Sequence, residues 1–246
     1  MEKLIYGIEK IKEEDIDSLI IEELPLLDRE DIELIESKTR LKVLNGVRVL
    51  VYFLPLVLDN IYKILNEDLK EKEVLIIGND EELTKEVIES LYKSVRFITL
   101  SGDYEDSIED ISNYILAKTG LSIFYSKKVH KILKNYSIII NFKSEEHIDI
   151  NQLRKKAIVF DFSIEKAFKQ SNNRRERRAV IQDFLFKASD LNIKQNKWME
   201  GLAPSYVYES FHPLKTIKPE ALVVNKGLYS FKDFVDYQLD KKTVST

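Results

Sequence analysis

Cysteine is absent from the 246 residues, and histidine is found only three times. Without cysteine, no disulfide, thiolate zinc site or cysteine nucleophile can form. Three histidines also argue against a histidine-rich metal site, so we expect no metal. Glycine, with seven residues, and proline, with five, are scarce as well.

An excess of positive charge is also missing, since the formal net charge is −4. The whole chain therefore exerts no attraction on nucleic acid or anionic lipid, and we expect no nucleic-acid partner. Hydrophobic residues make up 44% and charged residues 33%, which is typical of an ordered globular chain with a real core.

A long hydrophobic run is missing too. Residues 47–58 form the longest one, but Arg48 and Pro55 interrupt it. It falls short of the ~20 residues that a helix needs to cross a bilayer, so a buried helix is expected and an interfacial membrane helix is the alternative. Residues 1–4 lack the basic-then-apolar pattern of a signal peptide, and a cytoplasmic location is the default expectation.

Residues 1–70 have mostly helical periodicity and are expected to form a helical N-terminal segment. Asp28 is placed to cap a helix that follows it. A long helical pattern runs from 39 to 66, and Pro55 is expected to kink or break it. The charged residues 67–72 are the predicted domain boundary.

The stretch 73–100 organises the rest of the chain. An apolar, β-branched run ends at Gly78, a helical pattern covers 80–94, and a second apolar run covers 95–100. Strand, helix and strand within about 30 residues form a βαβ unit. Further short strands are predicted at 121–125, 137–142 and 157–162, separated by helices at 107–118 and 127–135.

This alternation predicts an α/β fold with a Rossmann-like, doubly wound parallel sheet at residues 71–165. Residues 166–246 are expected to be an irregular helical and aromatic extension packed on that sheet. Within it, the pattern predicts a helix at 174–187, a sixth strand at 221–224 and a terminal helix at 231–239.

Three stretches resemble the NAD(P)-binding domain of the glutamyl-tRNA reductase and shikimate dehydrogenase group. Residues 73–78 (EVLIIG) look like its first strand and glycine. Residues 137–144 (SIIINFKS) look like its strand that ends in Asn/Ser-Ala-Thr, and residues 153–161 (LRKKAIVFD) look like the next strand, which ends in aspartate. The resemblance covers residues 73–163 and implies a site for NAD(P), with Gly78, Asn79, Ser101 and Asn141 as the cofactor-binding candidates.

The chain departs from that group where the phosphates would bind. A dinucleotide site uses G-x-G-x-x-G, and here the run 78–83 reads GNDEEL. Asp80 replaces the second glycine and two glutamates follow it, so carboxylates satisfy the helix N-terminus and would repel a pyrophosphate. The ribose-reading position about 20 residues further on holds Thr99, Leu100 and Ser101, with Asp103 slightly late.

Other candidates lie after the later strands, where ligands bind in open α/β sheets. Asn141, Ser144 and His147 follow the fourth strand, either as substrate contacts or as an exposed polar loop. Asp161 ends the fifth strand, where it has a functional role or caps a turn at Ser163.

Two further clusters lie in the C-terminal region. Residues 174–178 hold four arginines, so Arg174 and Arg175 are candidates to bind a small anion, and a salt-bridged helix start is the other interpretation. The aromatic segment 198–212 contains the only tryptophan, Trp198, together with His212. It is expected to pack on the sheet, or else to form a ligand or subunit surface.

Two functional hypotheses follow. In the first, the domain has lost standard dinucleotide binding, needs no cofactor, and acts as a binding, regulatory or assembly module for a protein partner or a small anionic ligand. In the second, it is an NAD(P)-dependent oxidoreductase with a non-standard phosphate loop. A homodimer is compatible with either hypothesis.

Overall fold

The computed structural model describes residues 1–22, 27–143, 148–164, 166–169, 178–187, 201–211 and 217–239. Its α-helices are α1 (Glu2–Ile11), α2 (Arg29–Thr39), α3 (Val47–Leu65), α4 (Glu81–Leu91), α5 (Ile108–Thr119), α6 (Val129–Ile132), α7 (Ser205–Phe211) and α8 (Phe231–Phe234). Single 3-10 turns lie at Leu69–Glu71, Leu133–Asn135 and Ile150–Gln152, and a π-helical turn lies at Val235–Leu239.

The strands are β1 (Ser18–Ile20), β2 (Lys42–Leu44), β3 (Glu73–Gly78), β4 (Phe97–Gly102), β5 (Ile123–Tyr125), β6 (Ile138–Asn141), β7 (Ile148–Asp149), β8 (Ile158–Asp161), β9 (Phe168–Lys169), β10 (Ala179–Lys187), β11 (Leu202–Pro204), β12 (Pro219–Val224) and β13 (Gly227–Ser230).

The central sheet has the strand order β13-β12-β10-β8-β6-β3-β4-β5, with β11 paired to β10. The pairs from β10 through β8, β6, β3 and β4 to β5 are all parallel, while β12 and β13 are antiparallel additions. Numbered by their order in the chain, the parallel strands read 3-2-1-4-5-6 from β5 to β10, which is the order of the Rossmann fold. The protein therefore has the predicted Rossmann-like α/β fold.

Apolar side chains cover both faces of the sheet because the strand residues alternate in direction. Val74, Ile76 and their equivalents on neighbouring strands pack with α3, α4 and α5, and we call this side the helical face. Leu75 and Ile77 point the other way and pack with α6 and residues 148–153, on the side that we call the α6 face. Burying each such side chain contributes about 1.5–3 kcal/mol.

The N-terminal segment forms a small layer with its own apolar cluster, which includes Ile8, Ile35 and Val43. Asp28 caps α2 as predicted, because its Oδ1 accepts a hydrogen bond of 2.8 Å from the Asp31 backbone N–H. Strands β1 and β2 pair in parallel within this layer.

The predicted start of α3 was wrong, and the break that was one of the two expectations for Pro55 does not occur. The helix begins at Val47 rather than at 39, because residues 42–44 pair with β1 as a strand and Gly46 adopts a φ of 76°. It also continues through Pro55 to Leu65. Pro55 removes one helical hydrogen bond, but the fully buried Leu54 and Leu58 hold both halves against the sheet.

The helix predicted at 174–187 was also wrong. Residues 179–187 form β10, which pairs with β8, β11 and β12, and residues 174–177 lie outside the described part of the chain. Apolar residues at 180, 181, 184 and 185 fit a helical period, but a strand buried on both faces shows the same run. The strand at 221–224 and the helical residues 231–239 were predicted correctly.

Within the described residues, no helix combines the length and the apolarity that crossing a bilayer would require.

Candidate functional site

Strands β3, β4 and β6 bring candidate residues together at their carboxyl ends, and we call this side of the sheet its carboxyl edge. Ile77 of β3 lies in register with Ser101 of β4 on one side and with Asn141 of β6 on the other. Gly78 is in register with Gly102. The order of strands reverses between β3 and β6, and in open α/β sheets the ligand crevice lies at this point, beyond the carboxyl ends of the strands.

Gly78 and Gly102 allow a very close approach of two backbones. Gly102 has a φ of +120°, and a Cβ built on it would lie 2.0 Å from the Gly78 carbonyl oxygen. The Asp103 N–H also donates to that oxygen at 3.2 Å. Any side chain at 102 would therefore separate β4 from the β3–α4 turn.

Tyr104 fills the space beside Gly78. A Cβ built on Gly78 would lie 2.3 Å from the Tyr104 Oη. That hydroxyl is 2.5 Å from the Thr84 Oγ1 in the first turns of α4, and both side chains are buried. Burial raises the pKa of the Tyr104 phenol, so the ring stays neutral. Tyr104 thus occupies the inner side of the turn that would cradle a dinucleotide.

The N-terminus of α4 is already satisfied by the chain itself. Asp80 caps it as predicted, accepting a hydrogen bond of 2.9 Å from the Leu83 N–H. Glu81 and Glu82 lie in the first turn, so three carboxylates surround the positive end of the helix dipole. A phosphate would meet negative charge where a Rossmann helix normally offers free N–H groups.

An ion pair crosses the end of β3. Lys143 follows β6 and Asp103 follows β4, and the Lys143 Nζ lies 3.0 Å from Oδ1 and 2.9 Å from Oδ2 of Asp103. The lysine side chain is only 7% exposed, whereas the aspartate is 60% exposed. Since β3 lies between β4 and β6, this pair bridges the mouth of the crevice.

Asn141 and Asp161 form a buried polar network. The Asn141 Nδ2 donates to the Asp161 Oδ1 at 3.0 Å and to the Lys143 carbonyl at 3.0 Å. Asp161 also accepts from the Ser163 hydroxyl at 2.6 Å and from the Phe168 N–H at 3.1 Å. Asp161 therefore has the role of a turn cap at Ser163, one of its two predicted roles.

Two more ionisable side chains with shifted pKa values are Lys166, which follows β8, and Asp183, which lies on β10. Lys166 has a φ of 54° and donates from Nζ to the Asp161 carbonyl at 3.1 Å, and burial lowers its pKa. Asp183 of β10 accepts from the backbone N–H of Phe184 at 2.7 Å and of Ser205 at 3.3 Å. Burial raises the pKa of the Asp183 carboxyl to about 6, against the opposing effects of Ser205 and Lys166.

A cleft of about 670 Å³ lies between the N-terminal layer and the edge of the sheet. Asn79, Phe142 and Phe162 contribute to its sheet side. Its charged lining has three cations (Arg29, Lys42, Arg48) and eight carboxylates (Asp28, Glu30, Glu33, Glu36, Asp80, Glu82, Glu86, Glu209). Because carboxylates are in excess, the cleft opposes an anionic ligand such as a pyrophosphate.

The structure brings four of the candidate residues to this edge. Asn79 lines the cleft, Gly78 contacts Tyr104, and Ser101 donates from its buried Oγ to the Ser126 carbonyl at 2.6 Å. Asn141 uses its amide within the network around Asp161. Their roles toward a cofactor stay predictions.

The remaining candidates lie outside the described residues, namely Ser144, His147, Arg174, Arg175, Trp198 and His212. In the described part of the aromatic segment, the Tyr208 ring stacks on Phe186 of β10 with centroids 4.2 Å apart. That contact fits the expected packing on the sheet.

The sequence did not identify Tyr104, Thr84, Lys143, Lys166 or Asp183 as members of this edge. The only feature of the sequence that could have pointed to Lys143 and Asp103 is their position directly after the ends of predicted strands. Pairing them required the strand order, since they are 40 residues apart in the chain.

No protein-family model matches this chain, and no curated protein sequence matches it either. Solved structures match at low similarity. The Δ1-pyrroline-2-carboxylate reductase of Thermococcus litoralis, in complex with NADH and L-proline, shares 10% identity at a TM-score of 0.36, over 46% of this chain and 35% of that one. A formate dehydrogenase from Granulicella M. shares 14% identity at a TM-score of 0.37, over 55% of this chain and 42% of that one.

The nucleotide-binding domain of glutamyl-tRNA reductase from Thermoplasma volcanium shares 16% identity at a TM-score of 0.33, over 48% of this chain and 82% of that domain. In the first two structures, the aligned part spans less than half of the enzyme. At this similarity the matches carry no information about activity, and the Rossmann-like assignment rests on the strand order itself.

Proposed function

We propose that this chain is a Rossmann-like module that has lost standard dinucleotide binding and acts in binding, regulation or assembly. The observation that carries the proposal is the position of Tyr104, whose hydroxyl lies against Gly78 and is hydrogen-bonded to Thr84. A dinucleotide that entered in the standard way would have to displace this buried ring.

Charge supports the same proposal. Asp80 occupies the helix N-terminus, the pair of Lys143 and Asp103 bridges the crevice, and the cleft beside it has an excess of carboxylates. The Asp80 side chain takes the place of a pyrophosphate at the helix N-terminus, and the carboxylates of the cleft would repel one. The expected ligand is therefore a protein partner or a small molecule other than NAD(P).

Thermal unfolding with and without 1 mM NAD⁺, NADH, NADP⁺ or NADPH tests the proposal, the concentration being about 100 times a dissociation constant of about 10 µM. A ligand at that excess stabilises the folded state by about 2.7 kcal/mol, which raises the melting temperature measurably. We expect no shift with any of the four. A reproducible shift with one of them would overturn the proposal.

The second candidate function is that of an NAD(P)-dependent oxidoreductase with a non-standard phosphate loop. The strand order 3-2-1-4-5-6 favours it, as does the partly exposed Asp103 carboxylate directly after β4, near the ribose-reading position. Under this alternative, Asp80→Gly strengthens cofactor binding, because it removes a carboxylate from the phosphate position. Under the module proposal, the same variant still shows no shift.

A further inference from the structure

The α6 face of the sheet is left open at its β5 edge. Both α4 and α5 pack on the helical face, where Ile98 and Leu100 of β4 are fully buried. Phe97 on β4 and Phe124 on β5 point to the opposite side and are 54% and 64% exposed. Neither apolar cluster of the sheet includes them.

The two phenylalanines share one surface. Thr99 is in register with Phe124, and Phe97 lies two residues before Thr99 on the same face of β4. Side chains at such diagonal positions on adjacent strands are about 7–8 Å apart. Two aromatic side chains on adjacent strands are therefore exposed on the same face of the sheet.

The connection from β5 to β6 borders this surface with lysines. It passes over β4 and β3 because these strands separate β5 from β6 in the sheet. Its apolar residues Val129 and Leu133 are buried on the α6 face, while Lys128, Lys131 and Lys134 are exposed.

The charge of this region differs from that of the chain as a whole. No aspartate or glutamate occurs between Asp110 and Glu145, a stretch that contains six lysines. Within the described residues, Lys118, Lys127 and Lys143 have carboxylate partners. In that same part of the chain, no ion pair is found for Lys128, Lys131, Lys134 or the exposed Arg96 beside Phe97.

We propose that this face binds single-stranded nucleic acid, with bases stacked on Phe97 and Phe124 and phosphates held by Lys128, Lys131, Lys134 and Arg96. Exposed aromatic side chains on neighbouring strands, bordered by unpaired cations, are the features by which sheet surfaces bind unpaired bases. Stacking needs no particular sequence, since every base has an aromatic face.

Two other occupants fit less well. A second copy of this chain, docked by the same face about a two-fold axis, would place like charges opposite each other. The carboxylates of an acidic protein would pair with the lysines. Such a partner would not specifically require the two exposed aromatic rings. The expectation of no nucleic-acid partner came from the net charge of −4, which averages over this local asymmetry.

Fluorescence anisotropy with a labelled 12-nucleotide oligouridine, and with the matching single-stranded DNA, tests the proposal on the full chain. With four phosphate contacts, the dissociation constant rises on the order of 50-fold between 50 and 200 mM salt. Phe124→Ala or Phe97→Ala weakens binding about 5- to 150-fold by loss of stacking. Both side chains are exposed, so both variants keep their melting temperature.

Matched variants distinguish binding at this face from non-specific electrostatic binding to lysines elsewhere on the chain. Lys131→Gln combined with Lys134→Gln weakens binding, while Lys38→Gln combined with Lys70→Gln, at exposed lysines elsewhere, leaves it unchanged. No binding by the wild-type chain at 50 mM salt would overturn the proposal. The proposal would also be overturned if polyglutamate bound as tightly as the oligonucleotide and if Phe124→Ala left that binding unchanged. That result would favour an acidic protein partner. The test does not depend on the dinucleotide crevice, so its outcome is independent of the proposed function.

Discussion

Lys143 holds both carboxylate oxygens of Asp103, at 2.9 and 3.0 Å, across the carboxyl end of β3. The cation follows β6 and the anion follows β4, so the pair ties together the two neighbours of the strand at which the sheet reverses its order. In a dinucleotide-binding domain, this is the place where the ligand crosses the sheet. The ion pair therefore bridges the place where a dinucleotide would cross.

Lys143→Met should lower the free energy of unfolding by about 1 kcal/mol in urea titrations. The lysine is nearly buried, so its pair is less screened by solvent than a surface pair. The matched control is Lys127→Met, whose pair with Glu105 is exposed at both ends, so this variant should cost less stability than Lys143→Met. Equal costs for the two variants would show that the burial of Lys143 does not strengthen its ion pair.

The Tyr104 and Thr84 hydroxyls should behave as one unit. Tyr104→Phe leaves the buried Thr84 Oγ1 without its partner and should cost about 1–2 kcal/mol. Adding Thr84→Val removes both polar groups at nearly constant shape, so the double variant should recover most of that loss. A double-mutant cycle by chemical denaturation measures the coupling, and additive single costs would contradict this prediction.

The fold was largely predictable because its central strands are short, apolar runs between clear helical patterns. Asp28 and Asp80 were recognised as caps because capping depends on residues only three positions apart. Tyr104 with Thr84 and Lys143 with Asp103 were not predictable, since the contacts join residues 20 and 40 positions apart. Such contacts follow only from the order of strands, which local patterns do not specify. Strand β10 was mistaken for a helix because its apolar positions satisfy both periods.

Three glycines should respond differently to replacement by alanine. Gly102→Ala should cost about 3 kcal/mol or more, because the φ of +120° is strained for alanine and the Cβ overlaps the Gly78 carbonyl. Gly120→Ala should cost about 1 kcal/mol, since the φ of +75° is unfavourable but the space is open. Gly7→Ala, inside α1 with nothing within 4 Å, should gain about 0.5–1 kcal/mol. Urea unfolding of the three variants gives the order, and a loss at Gly102 no larger than at Gly120 would refute the close approach of β3 and β4.

Asp183 should make stability depend on pH in the direction opposite to an ordinary salt-bridged carboxylate. Burial raises its pKa from 3.8 to about 6 in the folded state, so the folded protein binds more protons than the unfolded chain between these values. Its contribution to stability is therefore present in full below pH 3.8 and is lost as the pH rises through about 6. The loss is at most about 3 kcal/mol, since one pKa unit corresponds to about 1.4 kcal/mol.

Asp183→Asn isolates this contribution, because an amide oxygen still accepts from the N–H groups of Phe184 and Ser205 but does not ionise. Carboxylates with lowered pKa values, such as Glu73 and Glu89, titrate equally in both proteins and cancel in the difference. The stability of the variant relative to the wild type should therefore rise from about pH 4 to about pH 6 and stay constant at higher pH. Urea unfolding at several pH values measures the difference. A flat difference would mean that Asp183 titrates near the ordinary value for an aspartate, and a difference of opposite sign would mean that the attraction of Lys166 outweighs the cost of burial.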